Sequence, residues 1–225
     1  YTPYQPEISQ GTLQATFEFQ SMMAALTGMD VSNASMYDGA TAFAEAAIMA
    51  GKATSIRRIV ATRSMNPSYR AVLRTYLRNS PGLEIVEAPF DPASGRVDLQ
   101  ALQGLAGSDA ALFIQQPNYF GVIEDMAAVS GIAARFGFWG IVVTDAISLG
   151  LLEPPGSFGC DMVTGEAQSF GNPANAGGPL LGFFCVKREH IRRIPGRIVG
   201  LSRDHAGRRA FCLTLSTREQ HIRRE

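Results

Sequence analysis

From Arg57 to Asp145 the chain keeps a rhythm that few folds tolerate. Short apolar runs RRIVAT (57–62), LEIVEA (83–88), ALFIQQ (111–116) and WGIVVTD (139–145) alternate with helix-patterned runs at 67–79, 98–105 and 124–137. The apolar runs show no polar alternate face, as expected of strands buried on both sides. Strand, helix, strand at these spacings predicts right-handed crossovers and a mainly parallel sheet of about seven strands with helices on both faces, an α/β fold.

Two helices are expected before this rhythm. Leu13, Phe17, Met22, Met23 and Leu26 mark one buried face, with Gly28 as the stop. A second, alanine-rich helix begins at GATAFAEA, with Asp38 or Ser35 as its cap. Its first turn, Gly39, Ala40 and Thr41, would present bare N–H groups suited to a phosphate; a tightly packed core helix is the ordinary alternative. After Asp145 the rhythm breaks into DAISLGLLEPPGSFGC. The chain then re-enters as DMVTGEAQSFGNPANAGGPLLGFF (161–184), two strands around a loop rich in glycine, asparagine and proline. Such loops at the carboxyl ends of strands hold ligands in α/β proteins.

Composition narrows the function classes. With 225 residues, 46% of them hydrophobic, the chain can bury one substantial core. No apolar run approaches a membrane span and no leader pattern opens the chain, so a cytoplasmic protein is expected. Cys160, Cys185 and Cys212 lack metal or disulfide spacing and read as buried free thiols; no metal site follows. Residues 187–225 carry 11 Lys and Arg against 4 Asp and Glu, but these are interleaved with apolar residues. That pattern speaks for docking on the body or a partner rather than for nucleic acid. IPGRIVG (194–200) and RAFCLTLS (209–216) read as two extended segments leading to a terminal helix. Their apolar residues Ile194, Ile198, Val199, Phe211 and Leu213 are expected to project from the body without cover.

Polar residues gather at predicted strand ends: Gln116, Pro117 and Asn118, then Asp145, then Gln168 and Ser169. An acid after an apolar strand often holds a protonated ring nitrogen; its ordinary alternative is an N-cap. As a set, with the helix start near Asp38 to Thr41, they suggest a cofactor site. A nicotinamide dehydrogenase is disfavoured, because no G-x-G-x-x-G follows a first strand and GGPLLG precedes a strand.

YTPYQPEISQGTLQ, NASMYDGATAFAEA, QQPNYFGVIED, GEAQSFGNP with GGPLLGFF, and RIPGRIVG with LSTREQHIRRE occur in this order from Tyr1 to Glu225. Together they resemble the first subunit of the two-subunit bacterial P-protein of the glycine cleavage system, a glycine dehydrogenase (decarboxylating). The resemblance implies the large domain of the fold-type-I pyridoxal-phosphate transferases over residues 1–186. It also implies the start of a small C-terminal domain over 187–225, and a chain that is one piece of a longer polypeptide. The implied activity is decarboxylation of glycine and transfer of the aminomethyl group to the lipoyl H-protein, by a complex with a cofactor-binding second subunit.

The resemblance also exposes a loss. Where the sister subunit carries its cofactor lysine in an H-K-T-F context, this chain has AQSF, with Gln168 at the lysine position, and an amide cannot form an imine with an aldehyde. Its two lysines, Lys52 and Lys187, stand elsewhere. Asp145 matches the ring-nitrogen acid of that fold, and Asn118 the P-N of the sister subunit. The expectation is therefore a chain with no catalytic residue or bound cofactor of its own, pyridoxal phosphate being held by the partner. Vestigial or partner-facing positions would be Asp145, Asn118, Gly39, Thr41, Gln168 and Ser169. Tyr1, Tyr4 and Gln5 in the N-terminal loop, and Asn172 and Asn175 in the glycine-rich loop, would face substrate or partner. A purely structural subunit with a dead pocket is the alternative.

Overall fold

A computed structural model describes residues 3–53 and 56–215. Tyr1 and the expected terminal helix lie outside the described residues.

Nine strands and five α-helices are described. α1 (Gln10–Thr27) ends where Gly28 takes a left-handed conformation, φ 68°, which glycine adopts without steric cost. β1 (Val31–Ser32) precedes α2 (Gly39–Ala53), whose Thr41 N–H donates to the Asp38 carboxylate at 2.8 Å. β2 (Arg58–Thr62), α3 (Pro67–Leu77), β3 (Glu84–Ala88), α4 (Leu99–Leu105), β4 (Ala110–Gln115), α5 (Met126–Ala133) and β5 (Phe138–Val143) deliver the expected alternation. Asn66, Asp98 and Asp125 each cap the following helix through their side chains. β6 (Met162–Glu166) and β7 (Gly182–Val186) flank the glycine-rich loop, and β8 (Ile198–Arg203) with β9 (Arg209–Thr214) forms a separate hairpin.

The main sheet has seven strands in the order β1-β7-β6-β5-β4-β2-β3. β3, β2, β4, β5 and β6 run parallel; β7 lies antiparallel to β6, and β1 to β7. Successive strand residues point to opposite sides, and both sides are apolar. Val60, Leu112, Ile114, Ile141 and Val163 meet residues of α1, α4 and α5 on one face. Ile59, Ala61, Phe113, Val142 and Met162 meet α2 and α3 on the other. β4 and β5 are buried along their whole length, which explains the uninterrupted apolar runs.

Three details differ from expectation. The helix expected over 124–137 closes after Ala133, within a run that also contains Gly131 and Gly137. Two residues are too few for β1 to leave a periodic trace. Third, the segment after β7 does not project uncovered. Val199 and Phe211 of the hairpin bury against Leu13 of α1, and the Phe17 and Phe211 rings lie 5.3 Å apart. Two glutamines of α1 clip the hairpin's edges. Gln10 exchanges hydrogen bonds with the N–H and carbonyl of Phe211, both 2.9 Å, and buried Gln20 does the same with Val199 at 2.9 and 3.0 Å.

Candidate functional site

Because β2, β4, β5 and β6 run parallel, their carboxyl ends open on one rim, and β7, running oppositely, enters at that same rim. The start of α2 arrives there too, since a Cβ on buried Gly39 would collide with the Tyr69 hydroxyl and press on the backbone of Gly165 and Glu166. Only glycine lets the helix come this close.

Most of the expected site residues do converge on this rim. Asp145, exposed at the end of β5, accepts from the Ser169 hydroxyl at 2.7 Å and from the Ile147 N–H at 3.1 Å, so it caps a 3₁₀ turn while facing the loop after β6. Gln168 opens that loop and donates from its amide to the Gly177 carbonyl at 3.0 Å. Asn172 N–H donates to the Gln168 carbonyl at 2.9 Å, and Asn175 lies exposed further along. Thr41 is engaged in capping: its hydroxyl donates to the Asp38 carbonyl at 3.1 Å.

Asn118 sits apart in chemistry. It is buried, and its amide donates to the Gly95 carbonyl at 2.8 Å and to the Glu124 carboxylate at 2.9 Å, while its oxygen accepts from the Phe120 and Val122 N–H groups. The side chain is spent on shaping the 116–124 loop. Glu124, also buried, anchors that loop through Ser64 and the Val97 N–H. Tyr4 and Gln5 lie near the hairpin rather than the strand ends. The Tyr4 hydroxyl accepts from Arg197 at 2.7 Å, and the Arg197 guanidinium stacks over the ring. The Arg197 carbonyl in turn accepts from Ala34 N–H, on the segment leading to α2.

The residue that sequence reasoning passed over is Glu166. Its carboxylate accepts the Gly39 N–H at 3.0 Å, the Gln168 N–H at 3.0 Å and the Leu181 N–H at 2.8 Å. Beside it, burial first, then Glu166 and Asp38, push the Tyr69 hydroxyl well above the usual tyrosine range, so it stays protonated. The signal was in view: an acid at the end of an apolar strand, two residues before Gln168.

Pyridoxal phosphate needs an amine for its aldehyde, an acid for its ring nitrogen and free N–H groups for its phosphate. The rim supplies only the acid. Position 168 is an amide, Lys52 stands in the last turn of α2, about 20 Å along the helix from Gly39, and Lys187 pairs with Asp161 at the opposite end of the sheet at 2.9 Å. At the helix start the Gly39 N–H is taken by Glu166 and the Thr41 N–H by Asp38. Among the described residues, those at this rim do not fit the group. Among the described residues one other cluster of ligand-type side chains exists, Asp161, Glu189 and His190. It lies at that far end, where the two Asp161 oxygens already accept from Lys187 and the Trp139 N–H.

A probable glycine dehydrogenase (decarboxylating) subunit 1 from Moorella thermoacetica is 56% identical across the whole chain and one from Thermotoga maritima 52%; the chain spans about half the length of each. A crystal structure of glycine decarboxylase (P-protein) of the glycine cleavage system, in inhibitor-bound form, superposes with a TM-score of 0.88 at 43% identity, again over half of that chain. Sphingosine-1-phosphate lyase from Burkholderia pseudomallei, at 16% identity and a TM-score of 0.60 over 92% of this chain, shares the fold alone, that of the fold-type-I large domain. Residues 1–225 match the family described as glycine cleavage system P-protein, and the chain belongs to that family.

Proposed function

We propose that this chain is the cofactor-free half of a two-subunit glycine decarboxylase of the glycine cleavage system. Its partner subunit holds pyridoxal phosphate and carries out decarboxylation, and the aminomethyl group passes to the lipoyl H-protein. The observation that carries this reading is the end of β6. An amide stands where an amine is required, and its N–H and side chain are committed to Glu166 and Gly177. Because the group does not fit here, no chemical step is assigned to this chain. Its part is to pair with the partner and complete the wall of the partner's active site or lipoyl tunnel. The segment 171–178 and the N-terminal loop around Tyr4 and Gln5 are the contributors. Residues 1–186 form the large domain in this reading, and 187–225 begin the small one; the clips from α1 hold the two together.

Borohydride reduction of the assembled full-length enzyme, followed by peptide mapping, tests the reading. Pyridoxyl-lysine is expected on the partner alone, and its appearance at Lys52 or Lys187 would overturn the proposal. Gln168→Lys is expected to leave this chain without activity. Alanine at Tyr4 and Gln5 separates a contributing subunit from a purely structural one: turnover falls with assembly unchanged in the first case, and neither changes in the second.

A further inference from the structure

We propose that Glu166 is a built-in anion. Its carboxylate takes, from within the chain, the place a phosphoryl group would take at the start of α2, so this subunit rejects phosphorylated ligands whatever residue stands at position 168. The proposal rests on the reading of the chain as cofactor-free and deepens it, because it names a second and independent reason for that state.

The donor set is the first argument. Three backbone N–H groups from three separate segments, Gly39 at the start of a 15-residue helix, Gln168 after β6 and Leu181 before β7, converge on one carboxylate at 2.8–3.0 Å. Such convergence of N–H donors with a helix start is what binds an external anion elsewhere. Here Glu166 satisfies it, and the helix dipole adds to the attraction. Space is the second argument. Gly39 is buried, and the place within hydrogen-bond reach of its N–H is filled by the Glu166 side chain, which only removal of that side chain vacates. Charge is the third. A phosphoryl group entering here would lie against the Glu166 carboxylate and beside Asp38, and like charges at contact distance repel strongly where water is scarce. Installing an amine at position 168 therefore leaves this corner closed.

The test uses the full-length subunit assembled with its partner, the partner's site being saturated with pyridoxal phosphate, and titrates inorganic phosphate by calorimetry. The wild type is expected to show no saturable uptake beyond the partner's site. Glu166→Ala is expected to bind phosphate at least about tenfold more tightly than wild type, the scale of one lost helix-terminal anion with its hydrogen bonds. Glu166→Gln, which keeps the shape and one acceptor without the charge, should gain less and decides the question if the alanine variant assembles poorly. Saturable phosphate uptake by the wild type, or no gain in either folded variant, overturns the proposal. A second arm pairs Gln168→Lys with Glu166→Ala. A pyridoxyl adduct mapped to this chain is expected in the double variant and absent from Gln168→Lys alone; an adduct in the single variant would also overturn it. These readouts concern residues 166 and 168 only, whereas the reading of the wild-type subunit stands or falls on where its native adduct maps.

Discussion

Two corners of the molecule join distant segments by one side chain to bare backbone, and they use different chemistry. At the rim, Glu166 gathers three N–H groups and no carbonyl. At the seam between α1 and the hairpin, Gln10 and Gln20 each meet one N–H and one carbonyl of a strand edge. A strand edge alternates donors and acceptors, so an amide, which carries both, answers it where a carboxylate does not. A helix start beside two loop N–H groups offers donors alone, so a carboxylate answers it best. Each corner thus specifies its partner by the polarity of the backbone it closes, and exchanging the two side-chain types should damage the two corners unequally.

The sharpest break is Gln20→Glu. It places a carboxylate against the Val199 carbonyl in a buried site, and we expect a loss of about 4 kcal/mol in urea unfolding of the full-length subunit, as when a buried charge is left unpaired. Leu13→Ala tests the apolar half of the same seam. Leu13 is fully buried against Val199 and Phe211, so truncation should cost about 3 kcal/mol, and amide exchange should accelerate in β8 and β9 while β4 and β5 keep their protection. If the sheet strands loosen equally, the hairpin is one cooperative unit with the body. At the rim, Glu166→Gln should cost less, about 2 kcal/mol, because an amide still accepts from one or two of the three donors.

The smallest effect concerns pH and separates the sheet interior from both corners. Burial raises the Cys185 thiol from 9.0 to about 11, and the Cys160 thiol to about 12, the latter helped by nearby Asp161. Since the folded state favours the neutral thiol, this stabilisation is complete below pH 9, where the unfolded thiols are also neutral. It declines as the pH rises from 9 toward 11, because the unfolded thiols ionise first. By pH 10 each thiol should account for about 1 kcal/mol of lost stability. Cys185→Ala should flatten the pH dependence of the urea midpoint; an unchanged slope would mean that other groups, such as Tyr69, dominate it.

The sheet and most helices were legible because their signal is local. Runs such as ALFIQQ, short and apolar on both faces between helix-patterned runs, read as buried strands, and β4 is buried along its whole length. The site was legible only in outline. Asp145, Gln168 and Ser169 were visible as polar residues after strands, and the structure brings Asp145 and Ser169 into contact. Asn118 was visible for the same reason, yet its side chain serves its own loop, and strand-end position cannot tell these roles apart.

By itself the sequence determined the order of strands and helices, the rim to which polar residues are carried, and the lack of an amine at position 168. Those follow from periodicity and side-chain chemistry, which do not depend on distant neighbours. The tertiary structure alone decided that Glu166 closes the start of α2 across 127 residues and that Gln20 clips the hairpin across 179. Both unite segments remote in the chain around unpaired backbone groups. Which N–H and carbonyl groups are left unpaired is settled only once every element has found its place, and only then does the polarity of each gap select the side chain that fills it.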